Sequence, residues 1–328
     1  VIITGAPYRV SLLGGGTDTN EWLAKHDGAV LGGAINQGCH ILARRLPPYH
    51  SYRHRVVYSS METVPSLADI NHRATKACLQ RVGWPDEDGV ELFHQGDIPG
   101  RSGTGSSSSF VVALLHALKT LRGETVSPAE LAGMAVDVEQ NLLGEAVGRQ
   151  DQTFAAHGGL NLVRFSRGES AVYPLTVSDA RVRELEANLM LFFTRVERNS
   201  SDVATGYYKD IPSRARDMYA MVKMAEEGVG VIDRGDWARL GELVDASWRV
   251  KAGFAGVCNA EISSLYTLAR AHGAIGGKIT GAGGGGCLLL VVPPERHESV
   301  RLALPTCIHV PFRFSFAGSR VLFFDRGK

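Results

Sequence analysis

The amino-acid sequence predicts an α+β fold, and three features carry that prediction. Strand-like segments dominate the N-terminal part with helices placed late among them, long helical patterns run from about residue 201 to 272, and helix, strand, helix, strand from Ala260 onward describe a small α/β sandwich. The regular strand–helix alternation of a doubly wound sheet is missing. At 328 residues the chain can bury a full core and is long enough for two domains.

Composition narrows the class. Hydrophobic residues at 44% and charged ones at 21% describe a soluble globular protein, and a formal net charge of +1 gives no reason to expect nucleic acid as a partner. Cys39, Cys78, Cys258, Cys287 and Cys307 are scattered and lack C-x-x-C spacing, which argues for a reducing compartment and against a zinc or disulfide framework. Val1-Ile-Ile-Thr4 lacks a basic, then apolar leader pattern, and no 18-residue apolar run follows, so a cytoplasmic protein without a membrane partner is the expectation.

Val1 to Leu13 reads as strand residues interrupted by a Gly/Pro turn, running into Gly14-Gly15-Gly16-Thr17-Asp18. Three glycines leave backbone on which a bound molecule can lie. Asp18 can accept sugar hydroxyl hydrogens or cap a helix over Glu21–Ala24, and Arg9 is either a solvated strand-end arginine or a phosphate-facing guanidinium. Val30–Ile35 and Cys39–Arg45 read as two strands joined by a turn at Gln37-Gly38. A further strand over Arg55–Ser60, an amphipathic helix from roughly Leu67 to Val82 and a strand over Gly89–His94 follow.

Pro99-Gly-Arg-Ser-Gly-Thr-Gly-Ser-Ser-Ser-Ser-Phe110 is the stretch around which the rest is organised. Gly103 and Gly105 let backbone amides approach an anion, and Phe110–Leu118 reads as a helix whose start would face a polyphosphate, with serine hydroxyls to donate bonds or hold magnesium. An ordinary serine-rich turn is the competing reading. A P-loop lysine and a dinucleotide fingerprint are both lacking.

Ser127-Pro-Ala-Glu130 carries the cap, first-turn proline and capping-box glutamate of a helix over Leu131–Leu142. Glu139 approaches its inner face, either paired or as a magnesium ligand beside a nucleotide. Gly148–Ala156 places Asp151 among small residues, where it either caps a helix or takes a proton from a hydroxyl attacking phosphorus. Leu160–Phe165 and Ala187–Phe193 read as strands, and Arg195–Ser201 as an active-site lip or polar turn. Helical patterns then cover Ser201–Glu226, where Met218, Met221 and Met224 form a core-type stripe, Asp236–Trp248 and Ala260–His272. Lys278–Leu290 holds the run Gly283–Gly286 before an apolar strand, a composition suited to close packing against a ligand or against the first glycine loop. A short helix over Arg296–Leu304 and strands over Cys307–Pro311 and Arg320–Phe324 finish the chain.

Together, Ala6-Pro-Tyr-Arg-Val with Asp18, the loop from Pro99 through Ser109, and Gly281-Ala-Gly-Gly-Gly-Gly286 resemble the three motifs of the GHMP small-molecule kinases. Leu12–Asp18, Arg149-Gln-Asp-Gln152 and Gly158-Gly-Leu-Asn-Leu162 are most similar to the D-glycero-D-manno-heptose 7-phosphate kinases of that superfamily, which phosphorylate the anomeric hydroxyl of a sugar phosphate. The resemblance implies an N-terminal domain like ribosomal protein S5 domain 2 over residues 1–185, a ferredoxin-like C-terminal domain over 186–328, and a chain that crosses back at its extreme C-terminus. It implies ATP and Mg²⁺ as cofactors and a sugar phosphate as acceptor, and leaves a homo-oligomer open. Asp151 would be the catalytic carboxylate, with Arg9 stabilising charge near the transferred phosphate. Gly100, Arg101, Ser102, Gly103, Thr104, Gly105, Ser106, Ser107 and Ser108 would bind the nucleotide, and Glu139 with Ser107 (Ser106 as the alternative) would hold the metal. Asp18, Gly15, Gly16, Thr17, Arg149, Gly283 and Gly284 would bind the substrate, whose distal phosphate has Arg149, Arg195 and Arg198 as candidates. Thr104 replaces the leucine common between the two loop glycines, which leaves the phosphate geometry plausible; Gly15-Gly16 replace the Glu-His of galactokinases, which argues against galactose.

Overall fold

The computed structural model describes residues 1–100, 102–196, 206 and 210–325. Its first strand, β1 (Ile2–Leu13), is unbroken, where the sequence suggested a Gly/Pro turn. Pro7 has no N–H to give to a ladder, and the register against the neighbouring strand shifts between Pro7 and Arg9, so the proline is absorbed as an irregularity. After the short helix α1 (Asn20–Leu23), β2 (Gly28–Arg45) is likewise one strand of 18 residues rather than two. It changes partners along its length: Gly28–Gly33 pairs with β6 (Leu160–Ser166) and Cys39–Arg45 with β5 (Val90–Gly96). The Gln37-Gly38 segment is the crossing between those partners, with the Gly38 amide held by Asp97 Oδ2 at 2.8 Å.

Strands β3 (His54–Val57), β4 (Met61–Val64) and β7 (Glu169–Pro174) complete most of this sheet, and α2 (Arg73–Arg81) precedes β5. From β5 the chain passes through the glycine loop into α3 (Ser106–Leu121), buried along Ser108–Leu115 and packed on β1 and β2. A helix apolar on nearly every side belongs in the middle of a core. Helix α4 (Pro128–Asp137) starts as its residues dictate, with Ser127 Oγ accepting from the Glu130 amide at 3.2 Å. It then widens into a π-helical turn over Val138–Leu142, followed by α5 (Gln150–His157) and α6 (Asp179–Ala187).

β8 (Leu189–Phe193) opens a second, antiparallel sheet, of four strands among the described residues, in the order β11-β8-β10-β9. The others are β9 (Gly276–Ile279), β10 (Cys287–Val291) and β11 (Ile308–His309), joined by α7 (Ala215–Arg234), α8 (Trp237–Ala252), α9 (Ala260–Ala271) and α10 (His297–Ala303). Met218 and Met221 are core residues, as their spacing implied. β9 escaped the sequence reading because two of its four residues are glycines; a Cβ on Gly276 would stand 1.9 Å from the Gly241 carbonyl oxygen of α8. The last strand, β12 (Arg320–Phe324), returns to the first sheet and pairs antiparallel with β1. Among the described residues the larger sheet therefore has eight strands, and the chain's two halves are tied by both α7, which packs on β1 and β2, and β12. Among the described residues no helix is long and apolar enough to cross a membrane.

Candidate active site

The glycine loop leads directly into α3, which begins at Ser106 rather than Phe110. Gly105 is the N-cap in the left-handed region (φ +76°), and no side chain caps the helix. Ser109 is the first residue whose amide bonds back within the helix, to the Gly105 carbonyl at 2.9 Å. The amides of Ser106, Ser107 and Ser108 precede it at the positive end of a 16-residue helix, an arrangement suited to an anion. The loop is braced from behind. Ser102 and Thr104 share a hydroxyl–hydroxyl bond of 2.7 Å, and the Cys287 amide donates to the Ser102 carbonyl at 2.8 Å. A Cβ on Gly286 would lie 2.4 Å from that same carbonyl oxygen, so the C-terminal glycine run serves close packing against the first loop. Gly283 and Gly284, expected at the substrate, instead approach Val257: a Cβ on Gly283 would meet its Cγ1 at 2.5 Å, and the Gly284 amide donates to its carbonyl at 2.7 Å.

Arg9, from β1, and Asp151, from the first turn of α5, meet directly beside this helix start. Arg9 donates from Nε to Asp151 Oδ1 and from Nη2 to Oδ2, each at 2.8 Å, and from Nη1 to the Gly103 carbonyl at 2.6 Å. The two-pronged contact fixes the plane of the carboxylate while each oxygen retains a further acceptor site. Arg9 is almost fully buried, whereas a quarter of the Asp151 side chain is exposed. A Cβ on Gly105 would come within 3.3 Å of Asp151 Oδ2. The helix start, the guanidinium and the exposed carboxylate of the pair thus share a single spot.

Asp18 corrects an expectation. It is fully buried and accepts four hydrogen bonds: from the Gly16 amide (3.0 Å) and Gln150 Nε2 (2.9 Å) on Oδ1, and from the Arg149 (2.8 Å) and Gln150 (2.9 Å) amides on Oδ2. Four N–H donors exhaust a carboxylate's usual acceptor capacity, so Asp18 is not a free sugar-facing group. It caps α5 from across the chain and thereby anchors the helix that carries Asp151; α1 is preceded by Thr19 instead. Thr17 is also internal, its hydroxyl donating to the Gly14 carbonyl at 2.9 Å.

Glu139 lies in the π-helical turn, fully buried, and its carboxylate accepts from Ser108 Oγ (2.8 and 3.1 Å) and from Gln152 Nε2. The hydroxyl against it is Ser108, whereas Ser107, expected there, is exposed. In the first turn of α3 adjacent side chains diverge by about 100°, which is why neighbouring serines part ways. Burial raises the Glu139 carboxyl to about 8, partly offset by the bonds from Gln152 and Ser108. Gln152 Oε1 is buried beside it without a partner. These are oxygen donors around a buried carboxylate, a set that fits Mg²⁺. Among the described residues no cluster of three or more Asp, Glu, His or Cys exists, so the phosphates and water would supply the other ligands.

Of the candidate arginines, Arg149 is fastened to the Ser166 carbonyl (3.2 Å) and Asn20 Oδ1 (3.0 Å), while Arg195 is exposed at the end of β8 with φ +61°. Arg101 and Arg198 lie outside the described residues. A small cavity of about 10 Å³ beside α3 had no clear sequence signal; it is lined by Tyr58, His72, Leu92, His94 and Phe110 among others. The His94 and Phe110 rings meet edge to face at 4.9 Å, and His94 Nε2 is buried without a partner.

Residues 70–159 match the family GHMP kinases N terminal domain, and residues 229–308 match GHMP kinases C terminal. The D-glycero-alpha-D-manno-heptose 7-phosphate kinase of Campylobacter jejuni subsp. jejuni is 28% identical over 323 residues, covering 92% of this chain and 93% of that one. A mevalonate kinase of Aeropyrum pernix is 31% identical over 201 residues, 58% of this chain and 57% of its own. Among solved structures, a D-glycero-D-manno-heptose 1-phosphate kinase from Bacteroides thetaiotaomicron superposes with a TM-score of 0.82 at 23% identity, covering 99% and 100% of the two chains. Lactococcus lactis galactokinase complexed with galactose gives 0.76 at 18%, covering 98% and 95%. With these matches and the site in view, the chain belongs to the GHMP kinases and is an ATP-dependent phosphotransferase of that family.

Proposed function

We propose that the protein transfers the γ-phosphate of ATP to the anomeric C1 hydroxyl of D-glycero-D-manno-heptose 7-phosphate. The observation that carries the transfer is the Arg9–Asp151 pair set beside the uncapped start of α3. In this reading the amides of Ser106–Ser108 receive the phosphate oxygens, and Asp151 orients the acceptor hydroxyl and takes its proton as the bond to phosphorus forms. The bond from the γ-phosphorus to the bridging oxygen breaks, and ADP leaves. Arg9 keeps the carboxylate in one plane and adds positive charge where the transferring group is most anionic. Glu139, with Ser108 or the exposed Ser107, would hold Mg²⁺, which when bound offsets charge on the β- and γ-phosphates. The acceptor assignment is supported by likeness to the Campylobacter jejuni heptose 7-phosphate kinase along nearly the whole of both chains.

The test is an acceptor panel with ATP and Mg²⁺, read by ADP release and by phosphorus NMR of the product. Heptose 7-phosphate is expected to give an anomeric phosphate and to be strongly preferred over unphosphorylated heptose, mannose, galactose and mevalonate. Preference for heptose 1-phosphate, a hexose or mevalonate would reject the substrate while keeping the kinase. Binding of ATP without ADP release in every arm would favour a ligand sensor instead.

A further inference from the structure

Three polar groups converge on Gly15 and none has a partner there. A Cβ on Gly15 would stand 2.8 Å from Ser11 Oγ, 3.6 Å from Gln150 Oε1 and 3.6 Å from Lys278 Nζ. Ser11 Oγ and Gln150 Oε1 are buried without a hydrogen bond, and Lys278, from β9, is 1% exposed with neither a hydrogen bond nor an ion pair among the described residues. Gly14 and Gly16 sit at positive φ and need to be glycine for their backbone; Gly15 does not. Its missing side chain therefore reserves space and not conformation.

The chemistry of the three groups is complementary. An ammonium can only donate, an amide oxygen can only accept, and a serine hydroxyl does either. The carboxylates that could have compensated Lys278 are engaged elsewhere, Asp18 by its four donors and Asp151 by Arg9. Burial, joined by the like charges of Lys251 and Arg9, pushes the Lys278 amine well below its usual range, against a smaller opposing effect of Asp18. An ammonium left in such a place is costly unless something polar reaches it.

We infer that the space in front of Gly15 is a subsite for one hydroxyl of the acceptor, which accepts from Lys278 Nζ and Ser11 Oγ and donates to Gln150 Oε1. One hydroxyl satisfies all three groups, with two lone pairs and one hydrogen. Gln150, which lines the subsite, directly precedes Asp151 in the first turn of α5, the residue that meets the acceptor in the proposed transfer. It rests on the reading of the protein as a kinase of a polyhydroxylated acceptor. A site built on buried donors and acceptors discriminates strongly against an analogue lacking the matching hydroxyl, because the protein groups are then left unpaired.

The experiment is a cycle between protein and acceptor. Ser11→Ala, Lys278→Met and Gly15→Ala, the last filling the space directly, are compared with wild type on heptose 7-phosphate and its single-deoxy analogues. KM for ATP and the urea midpoint serve as controls. One deoxy analogue is expected to lose roughly ten- to a hundredfold in kcat/KM with wild type. Each variant is expected to lose a similar factor on the parent sugar, to be indifferent to that one deoxygenation, and to keep its KM for ATP. Lys278→Met removes an unpaired buried amine, so its urea midpoint is expected to hold or rise. Losses that simply add to every deoxygenation, or a lowered midpoint with unchanged acceptor KM, would overturn the inference and leave the trio as the seat of a structural water. The heptose reading fails separately, on wild type alone, when it takes another acceptor; the cycle is then run on that acceptor.

Discussion

Replacing Asp18 by Asn separates a helix anchor from a sugar ligand. The asparagine retains one carbonyl oxygen, which can still receive the Arg149 and Gln150 amides, but its NH₂ group then faces the Gly16 amide and Gln150 Nε2. Gln150 can turn its amide over and present Oε1, leaving the Gly16 donor unpaired. The perturbation therefore costs one buried donor, about 1–3 kcal/mol, plus the charge at the start of α5, about 0.3–2 kcal/mol. Together these give a loss of roughly 1–5 kcal/mol, with the weakening of the remaining charge-assisted bonds acting in the same direction. Urea unfolding by circular dichroism should show the midpoint falling with an unchanged slope, and kcat should fall because α5 carries Asp151. Refutation is simple to recognise: a variant as stable as wild type whose KM for the acceptor alone has risen would mean that Asp18 faces the sugar after all.

Other consequences are smaller in scope. Glu139 is raised to about 8 in the folded protein from an ordinary 4.5, so the native state holds a proton that the unfolded state has released between those values. Stability of the metal-free protein should therefore decline as pH rises from about 4.5 to 8, and Glu139→Gln should flatten that decline, on the order of a few kcal/mol, as thermal melts across the window would show. The same variant should lose response to added Mg²⁺; a wild-type pH profile in the Glu139→Gln protein would contradict the burial argument.

Much of the fold was legible where local chemistry is self-contained. Ser127-Pro-Ala-Glu130 announces its helix because cap, proline and glutamate act within one turn, and β12 was recognisable from its own residues. β2 was not legible as one strand, because what carries it past Gln37-Gly38 is a change of partner strands that are distant in sequence. The site divides the same way. Arg9, Asp151 and the loop glycines stood out by type and setting, whereas Asp18 was misjudged because its four donors come from the turn beside it and from residues 149–150, a meeting only the tertiary structure makes. Ser108 displaced Ser107 at Glu139 because the helix starts earlier than the apolar run suggests, and the π-helical turn that carries Glu139 leaves no pattern in composition. Lys278 passed unnoticed beside a conspicuous glycine run. A lone lysine in an apolar strand of glycine and isoleucine was the available signal.

In the proposed transfer, Asp151, held by Arg9 beside the start of α3, receives the acceptor's proton. Single-turnover phosphoryl transfer by Asp151→Asn, measured at saturating Mg-ATP and acceptor alongside nucleotide affinity, tests this role. The substitution keeps an oxygen for Arg9 and removes the negative charge, so the expected outcome is a folded protein that binds ATP as wild type does and transfers roughly 10²–10⁴-fold more slowly. Transfer at the wild-type rate by that folded variant would contradict it, and would assign the hydroxyl proton to solvent or to a phosphate oxygen.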